Sequence, residues 1–286
     1  MADSGLEWGM TMHRWTRRTT ARQEELWHLR LATIDPGRVM MLCRPESEAL
    51  TIHVFGAKRE LEPLRKRFGG RVAALKPEVW TGDPARPRAP IPIRGKLRIH
   101  SDEASFRGDS EQGRSLLIPA GMAFGTGDHA TTATCLRLLC DIAGKLPKGW
   151  RALDAGTGSG ILAIAAEKLG AARVEAFDFD PVCIRVSKGN ARANGCRRIS
   201  FSVADSRQAA KFAKADVVLA NLYSELLIDS APALAGRLNA GGWLIFSGVL
   251  KKQSAEVCAA LRKCGFAKPT IITRGKWVAG LATRER

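Results

Sequence analysis

Tyrosine occurs once among the 286 residues, acids are scarce beside bases, and no apolar run is long enough to cross a bilayer. The runs that come nearest, Val217–Leu222 and Trp243–Phe246, are far too short. The stretch Met1–Thr20 mixes acids, arginines and tryptophans and has no apolar h-region, so it does not read as a secretory signal. The expectation is a soluble cytoplasmic protein without a membrane partner. Seven cysteines, an odd number with no C-x-x-C pair, support neither a disulfide framework nor a zinc ribbon, and no metal is expected. A hydrophobic fraction of 45% with 26% charged residues excludes a disordered or collagenous chain.

What is abundant is positive charge. Lys and Arg number 45 against 28 acids, a net charge of +17. It divides into +8 over residues 1–100 and +9 over the rest, so it is densest per residue in the N-terminal third. That balance points to a polyanionic neighbourhood without identifying it.

Residues 1–80 predict a small α+β unit. A strand near Met10–Trp15, a helix at Arg22–Leu31, strands Val39–Cys43 and Leu50–Phe55, a helix at Lys58–Phe68 and a strand at Val72–Val79 give the ferredoxin-like order β-α-β-β-α-β. Residues 81–115 read as a linker with a lead-in strand at Lys96–His100. Pro84, Pro87, Pro90 and Pro92 exclude a helix, and Arg86 and Arg88 add charge. Residues 116–286 alternate strands (151–154, 173–178, 200–203, 216–220, 242–247) with helices, which predicts a parallel sheet covered on both faces. Pro269–Thr273 and Lys276–Ala282 would close it as an antiparallel hairpin.

Four segments of this larger domain carry chemistry. Asp154-Ala155-Gly156-Thr157-Gly158-Ser159-Gly160 lies between a strand and an apolar helix, where glycines let a ligand approach the backbone. Its spacing is G-x-G-x-G followed by Ile161, which disfavours a dinucleotide, and no Lys-Ser/Thr pair supports a P-loop. Asp178 ends the next strand, where a carboxylate can accept ribose hydroxyls, while Asp180 before Pro181 reads as a helix N-cap. Asn221 ends the fourth strand and reads either as an acceptor for a substrate amine or as a turn residue. Finally, residues 119–132, rich in Gly and Thr, read as a ligand-covering loop. His129 within it is more simply a structural hydrogen-bonder than a general base.

The run Ala123-Phe124-Gly125-Thr126-Gly127-Asp128-His129-Ala130-Thr131-Thr132 resembles the A-F-G-T-G-x-H-x-T-T signature of the lysine methyltransferases that act on large-subunit ribosomal protein eleven. The glycine turn, Asp178-Phe179-Asp180-Pro181, Ala220-Asn221-Leu222, and Ser247-Gly248-Val249-Leu250 follow in that family's order, and the likeness extends over about Leu116–Arg284. The resemblance implies a Rossmann-like class I methyltransferase sheet and S-adenosyl-L-methionine as cofactor. It further implies transfer of methyl groups to lysine ε-amines, or an N-terminal amine, of a ribosomal protein. Carried over by position, Phe124, Thr126, Thr132, Asp154, Gly156, Gly158, Asp178 and Asn221 become cofactor-binding residues, with Asn221 also the catalytic one. The N-terminal domain would hold the ribosomal protein, with rRNA contact through the basic surface. Thr157 replaces the family's usual Cys, a change expected to matter little. Leu222-Tyr223-Ser224-Glu225 lacks the small residue and Pro usual after the Asn.

Three other readings compete. A glutamine methyltransferase would carry Asn-Pro-Pro-Tyr where this chain has Asn221-Leu222-Tyr223-Ser224. An RNA methyltransferase would suit the charge, but strands 39–43 and 50–55 offer only Phe55 for base stacking. A non-catalytic RNA-binding ribosome-assembly factor on the same fold would have no need of the loop, Asp178 and Asn221 together.

Overall fold

The computed structural model describes residues 13–20, 23, 26–27, 30–31, 34, 38–43, 49–74, 89–119, 125, 127 and 129–285. They fall into two compact units that divide between Arg86 and Pro87. Among the described residues, no helix is long and apolar enough to cross a membrane.

In the first unit, β1 (His13–Thr20), β2 (Val39–Cys43), β3 (Ala49–Gly56) and β4 (Arg71–Ala74) form an antiparallel sheet in the order β2-β3-β1-β4. This is the order in which a split βαβ pair interleaves. Of the predicted first helix, Leu26, Trp27 and Arg30 are helical, and its other positions lie mostly outside the described residues, as do 75–79 of the last predicted strand. β1 runs to Thr20 instead of stopping at Trp15, because it pairs with β3 along its whole length, down to Thr20 opposite Ala49. Alternation sends Trp15, Leu50, Ile52 and Val54 to one face, where Trp27, Leu31 and Leu61 cover them. Leu61 belongs to α1 (Lys58–Phe68), whose Glu60 side chain accepts the Ala57 amide at 2.9 Å and starts the helix.

The second unit begins within the stretch expected to be a linker. β5 (Ile91–Ile93), β6 (Leu97–His100) and β7 (Ser115–Leu117) make a three-stranded sheet, with the short α2 (Glu103–Arg107) between the last two. Ile93, Leu97, Ile99 and Leu116 are buried in the main core; β6 lies within the expected lead-in strand, and β5 adds a strand where a connector was expected. The prolines misled because one of them, Pro92, stands inside a three-residue edge strand, a place that tolerates proline. His100 is buried and shares Asp109 with Ser115: its Nε2 lies 2.8 Å from the carboxylate, which accepts the Ser115 hydroxyl at 2.7 Å.

The remaining chain alternates as expected. After α3 (Ala130–Ala143) come β8 (Arg151–Ala155), α4 (Ile161–Lys168), β9 (Arg173–Asp178), α5 (Pro181–Ala193), β10 (Ile199–Val203), β11 (Ala215–Asn221), α6 (Ser224–Ala235), β12 (Leu238–Leu250), α7 (Ser254–Lys263), β13 (Thr270–Arg274) and β14 (Trp277–Thr283). The sheet order is β10-β9-β8-β11-β12-β14-β13, parallel except for the hairpin strand β14 against its neighbours. Side-chain alternation divides the core. Ala152, Val217, Leu219 and Ile245 face α3 and α4, whereas Leu153, Val218, Ala220 and Phe246 face α6 and α7. The strand order reverses between β8 and β11, and their C-terminal ends open a crevice there.

Candidate active site

The crevice contains a cavity of about 490 Å³, within the range of small-molecule sites. Its floor is the β8–α4 turn. Gly156, Gly158 and Gly160 take φ of 73°, 53° and 84°, a left-handed backbone that residues with a Cβ adopt only under strain. The amides of Gly156 and Thr157 both donate to the Phe177 carbonyl at 2.9 Å, which hangs the turn on β9. The Gly158 amide donates to Asp178 Oδ2 at 2.9 Å, and the Asp180 amide to Asp178 Oδ1 at 3.1 Å. Asp178 is therefore fixed at the cavity wall by two backbone donors. Asp180 accepts the Val182 amide at 2.7 Å and caps α5, with Pro181 in the first turn, the role expected for this second acid.

Asp154, expected among the cofactor-binding residues, lies beneath the turn and does not line the cavity. It is fully buried, and its Oδ2 accepts the Thr157 hydroxyl at 2.6 Å and the Ala163 amide at 3.1 Å. Burial pushes its carboxyl up to about 7, against the pull of those two donors. Thr157, expected to matter little, is thus one of two groups that steady this acid. It acts from below by positioning the turn.

The opposite wall is Asn221 at the end of β11. Its Nδ2 donates to Thr132 Oγ1 at 3.3 Å, while its Oδ1 is buried with no hydrogen-bond partner among the described residues. A buried carbonyl oxygen in a cavity wall is free to accept a hydrogen bond from a bound group. Its approach is set by Gly248, whose φ is 84°. A Cβ there would stand 2.3 Å from the Leu222 carbonyl oxygen. Leu222 in turn lies over Gly156 and closes the space between the two walls.

Of the loop signature, Phe124 and Thr126 lie outside the described residues, whereas Gly125 and Thr132 line the cavity. The Ser159 hydroxyl donates to the Gly125 carbonyl at 2.6 Å and ties the loop to the glycine turn. His129 caps α3, with Nδ1 2.8 Å from Thr131 Oγ1, and its ring meets Trp277 edge-on. This is the structural role, away from the cavity lining.

Sequence reasoning missed the outer rim. Phe179 and Tyr223, 74% and 60% exposed, flank the mouth with Leu226. Asp205 and Arg207 line the side beyond β10, and the hydrogen bonds from Arg207 hold the Asp205 carboxyl down at about 2. Position at a strand's C-terminal end was the available signal for Asp205.

Glycine turn, strand-end acid and orphaned amide at the switch point of a sheet in this order define the fold of the class I S-adenosylmethionine-dependent methyltransferases. Within that class the chain belongs to the ribosomal protein L11 methyltransferase (PrmA) family, whose model matches residues 40–285. A relative of that name from Pelotomaculum thermopropionicum is 43% identical over 208 residues, 72% of this chain and 66% of its own length. Another, from Syntrophotalea carbinolica, is 36% identical over 250 residues, 82% of this chain and 80% of its own length. The crystal structure of a ribosomal protein L11 methylase from Lactobacillus delbrueckii subsp. bulgaricus is 30% identical with a TM-score of 0.59, covering 70% of this chain and all 100% of that one. The matched segment spans 53–66% of the first three curated relatives' lengths.

Proposed function

We propose that this chain is an S-adenosylmethionine-dependent protein N-methyltransferase acting in the cytoplasm on lysine ε-amines, and an N-terminal amine, of large-subunit ribosomal protein eleven. The observation that carries this reading is the buried, unpartnered Oδ1 of Asn221 facing the Asp178 wall across one cavity. Family membership and the substrate named for the relatives support the choice of protein over nucleic acid.

The cavity fits the cofactor. Asp178 would accept its ribose hydroxyls, Gly156 and Gly158 would let it lie against the turn, and Thr132 would close one side. When bound, S-adenosylmethionine supplies an electrophilic methyl on a sulfonium. The chain's own task is to present a neutral amine to it. Asn221 Oδ1 accepts an amine N–H and so fixes the direction of the nitrogen lone pair. Leu222 and Tyr223 exclude water at the mouth, and desolvation lowers the amine's pKa so that its proton leaves to solvent on the way in. The N-terminal unit, residues 1–80, would hold the protein substrate, and the basic surface would face rRNA.

The test offers labelled S-adenosylmethionine with purified ribosomal proteins and with rRNA in separate reactions. Label in lysines of protein eleven is the expected result. Label in rRNA would make this an RNA methyltransferase, and label in neither would leave a binding factor.

A further inference from the structure

The seven-stranded sheet of the second unit has two unlike ends. One holds the cavity with Asp178, Asp180 and Asp205. At the other, every strand carries a cation. Arg151 and Arg173 open β8 and β9 and stand opposite each other, and Arg198 immediately precedes β10. Lys214 precedes β11 and Arg237 precedes β12, whose first residues, Ala215 and Leu238, are paired. The antiparallel hairpin reaches the same end with Arg284 after β14, its amide donating to the Gly242 carbonyl at 2.8 Å, and with Lys268 shortly before β13. At about 4.8 Å between strands, the row is roughly 29 Å long.

Helix dipoles account for Lys168 and Arg192 in the last turns of α4 and α5, but not for cations that open or precede strands. Nor does the row balance acids, because the acids at this end turn to backbone amides. Glu167 accepts the Arg197 and Arg198 amides at 3.0 and 2.9 Å, Asp216 that of Arg151 at 2.9 Å, and Glu175 that of Ala213 at 2.9 Å. Among the described residues, Arg198 has one long ion pair, with Glu167 at 3.5 Å, and the exposed Arg173, Arg197 and Lys214 have none. The loop 119–132, part of which lies outside the described residues, belongs to the cavity end, where Gly125 and Thr132 line the wall.

The row also lacks rings. Phe179 and Tyr223 are exposed at the cavity end, whereas Trp150, just before β8, is buried. Base stacking, which holds single strands, has nothing to rest on here. Among the described residues near this end, Ile271 is the one exposed large apolar side chain, too little to anchor a membrane surface.

We propose that this end of the sheet binds the phosphate backbone of base-paired RNA, with Arg173, Arg197 and Lys214 as its exposed contacts. Duplex RNA is held through backbone and shape, because its deep groove withholds the base edges, and a row of cations without rings suits it. The choice of RNA rests on the proposed ribosomal substrate, whose surroundings are rRNA. The site itself lies at the opposite end of the sheet from the methyl-transfer chemistry.

The experiment titrates the full chain into a fluorescein-labelled RNA hairpin with a stem of about 16 base pairs and follows anisotropy at several salt concentrations. The hairpin should bind more tightly than single-stranded RNA of the same length. Arg173→Gln, Arg197→Gln and Lys214→Gln combined should weaken binding about tenfold or more and lower the salt slope by about two to three. Arg173→Lys with Arg197→Lys should keep the native slope, which guards against a glutamine variant that does not fold. Lys251→Gln, Lys252→Gln and Lys276→Gln together neutralise exposed cations at the cavity end and should leave affinity near native. Label transfer to free protein eleven by the native chain is measured in parallel. Its absence would strike the proposed function and leave the binding result standing. The RNA site is overturned if the row's glutamine variant keeps native affinity and slope, or if single-stranded RNA binds equally well. It also fails if polyglutamate competes as well as duplex RNA, or if the cavity-end variant loses the binding that the row's variant keeps.

Discussion

Asp178 accepts the Gly158 amide at 2.9 Å across 20 residues, so the acid of one strand end and the turn of its neighbour form a single wall. Asp178→Ala should therefore act twice. Loss of a charged acceptor, worth about 1.5–3 kcal/mol, should weaken S-adenosylmethionine binding roughly tenfold to a hundredfold by calorimetry. The melting temperature should also fall, because the Gly158 and Asp180 amides lose their acceptor. Unchanged cofactor affinity would move Asp178 to a purely structural role.

Asn221→Ala should separate the two effects. It removes one 3.3 Å contact with Thr132, so stability should stay within about 1 kcal/mol of native, while turnover falls more than for any other single change at the cavity wall. Near-native turnover on protein eleven would contradict the assignment of the amine to Oδ1.

Asp154 predicts a pH dependence with a definite sign. Its folded carboxyl titrates near 7, above the ordinary 3.8, so the folded state holds the proton more tightly. The stability it contributes is fully present below about pH 4 and is lost as the pH rises through 7. Melting temperatures measured from pH 5 to 8 should fall in the native chain and fall less in Asp154→Asn. An identical slope in the two would show that Asp154 does not titrate in that window.

Gly248→Ala should disable the site without touching the cavity. The added methyl must displace the Leu222 carbonyl and, with it, the neighbouring Asn221. Turnover should drop at least tenfold and stability by about 1–3 kcal/mol. A variant with native turnover would show that the β11 end relaxes freely.

Asn194 donates to and accepts from the backbone of Leu117, 77 residues away, at 2.8 and 2.7 Å. Asn194→Ala leaves both buried groups unpaired and should destabilise the chain by about 2–4 kcal/mol in urea unfolding. A loss below 1 kcal/mol would mean that β7 is held by its apolar contacts alone.

These residues also mark how far the sequence could be read. Gly156, Asp178 and Asn221 were legible because each sits at a strand's end, where local pattern and site coincide. The burial of Asp154 beneath the turn was not legible, because it depends on Thr157 and Ala163 folding back over it. The pairing of Asn194 with Leu117 depends on two segments meeting in three dimensions, and no spacing announces it. The lead-in strand at 96–100 was legible, whereas β5 was hidden by composition: prolines at short intervals look like a connector until Ile93 is seen to join the core. On β1, arginines disguised the strand's continuation from Thr16 to Thr20, where pairing with β3 outweighs the weak apolar pattern.

The hairpin that completes the larger sheet sets an order of events during synthesis. β14, Trp277–Thr283, is an inner strand, inserted antiparallel between β12 and β13. Until residues near Thr283 have been made, β12 leaves one side of Trp243–Leu250 unpaired, and β13 has no partner at all among the described residues. An edge of that length and apolarity invites pairing with other chains. A nascent chain stalled before Trp277 would thus be the aggregation-prone species, and chaperone protection of β12 and β13 would matter most until β14 is made.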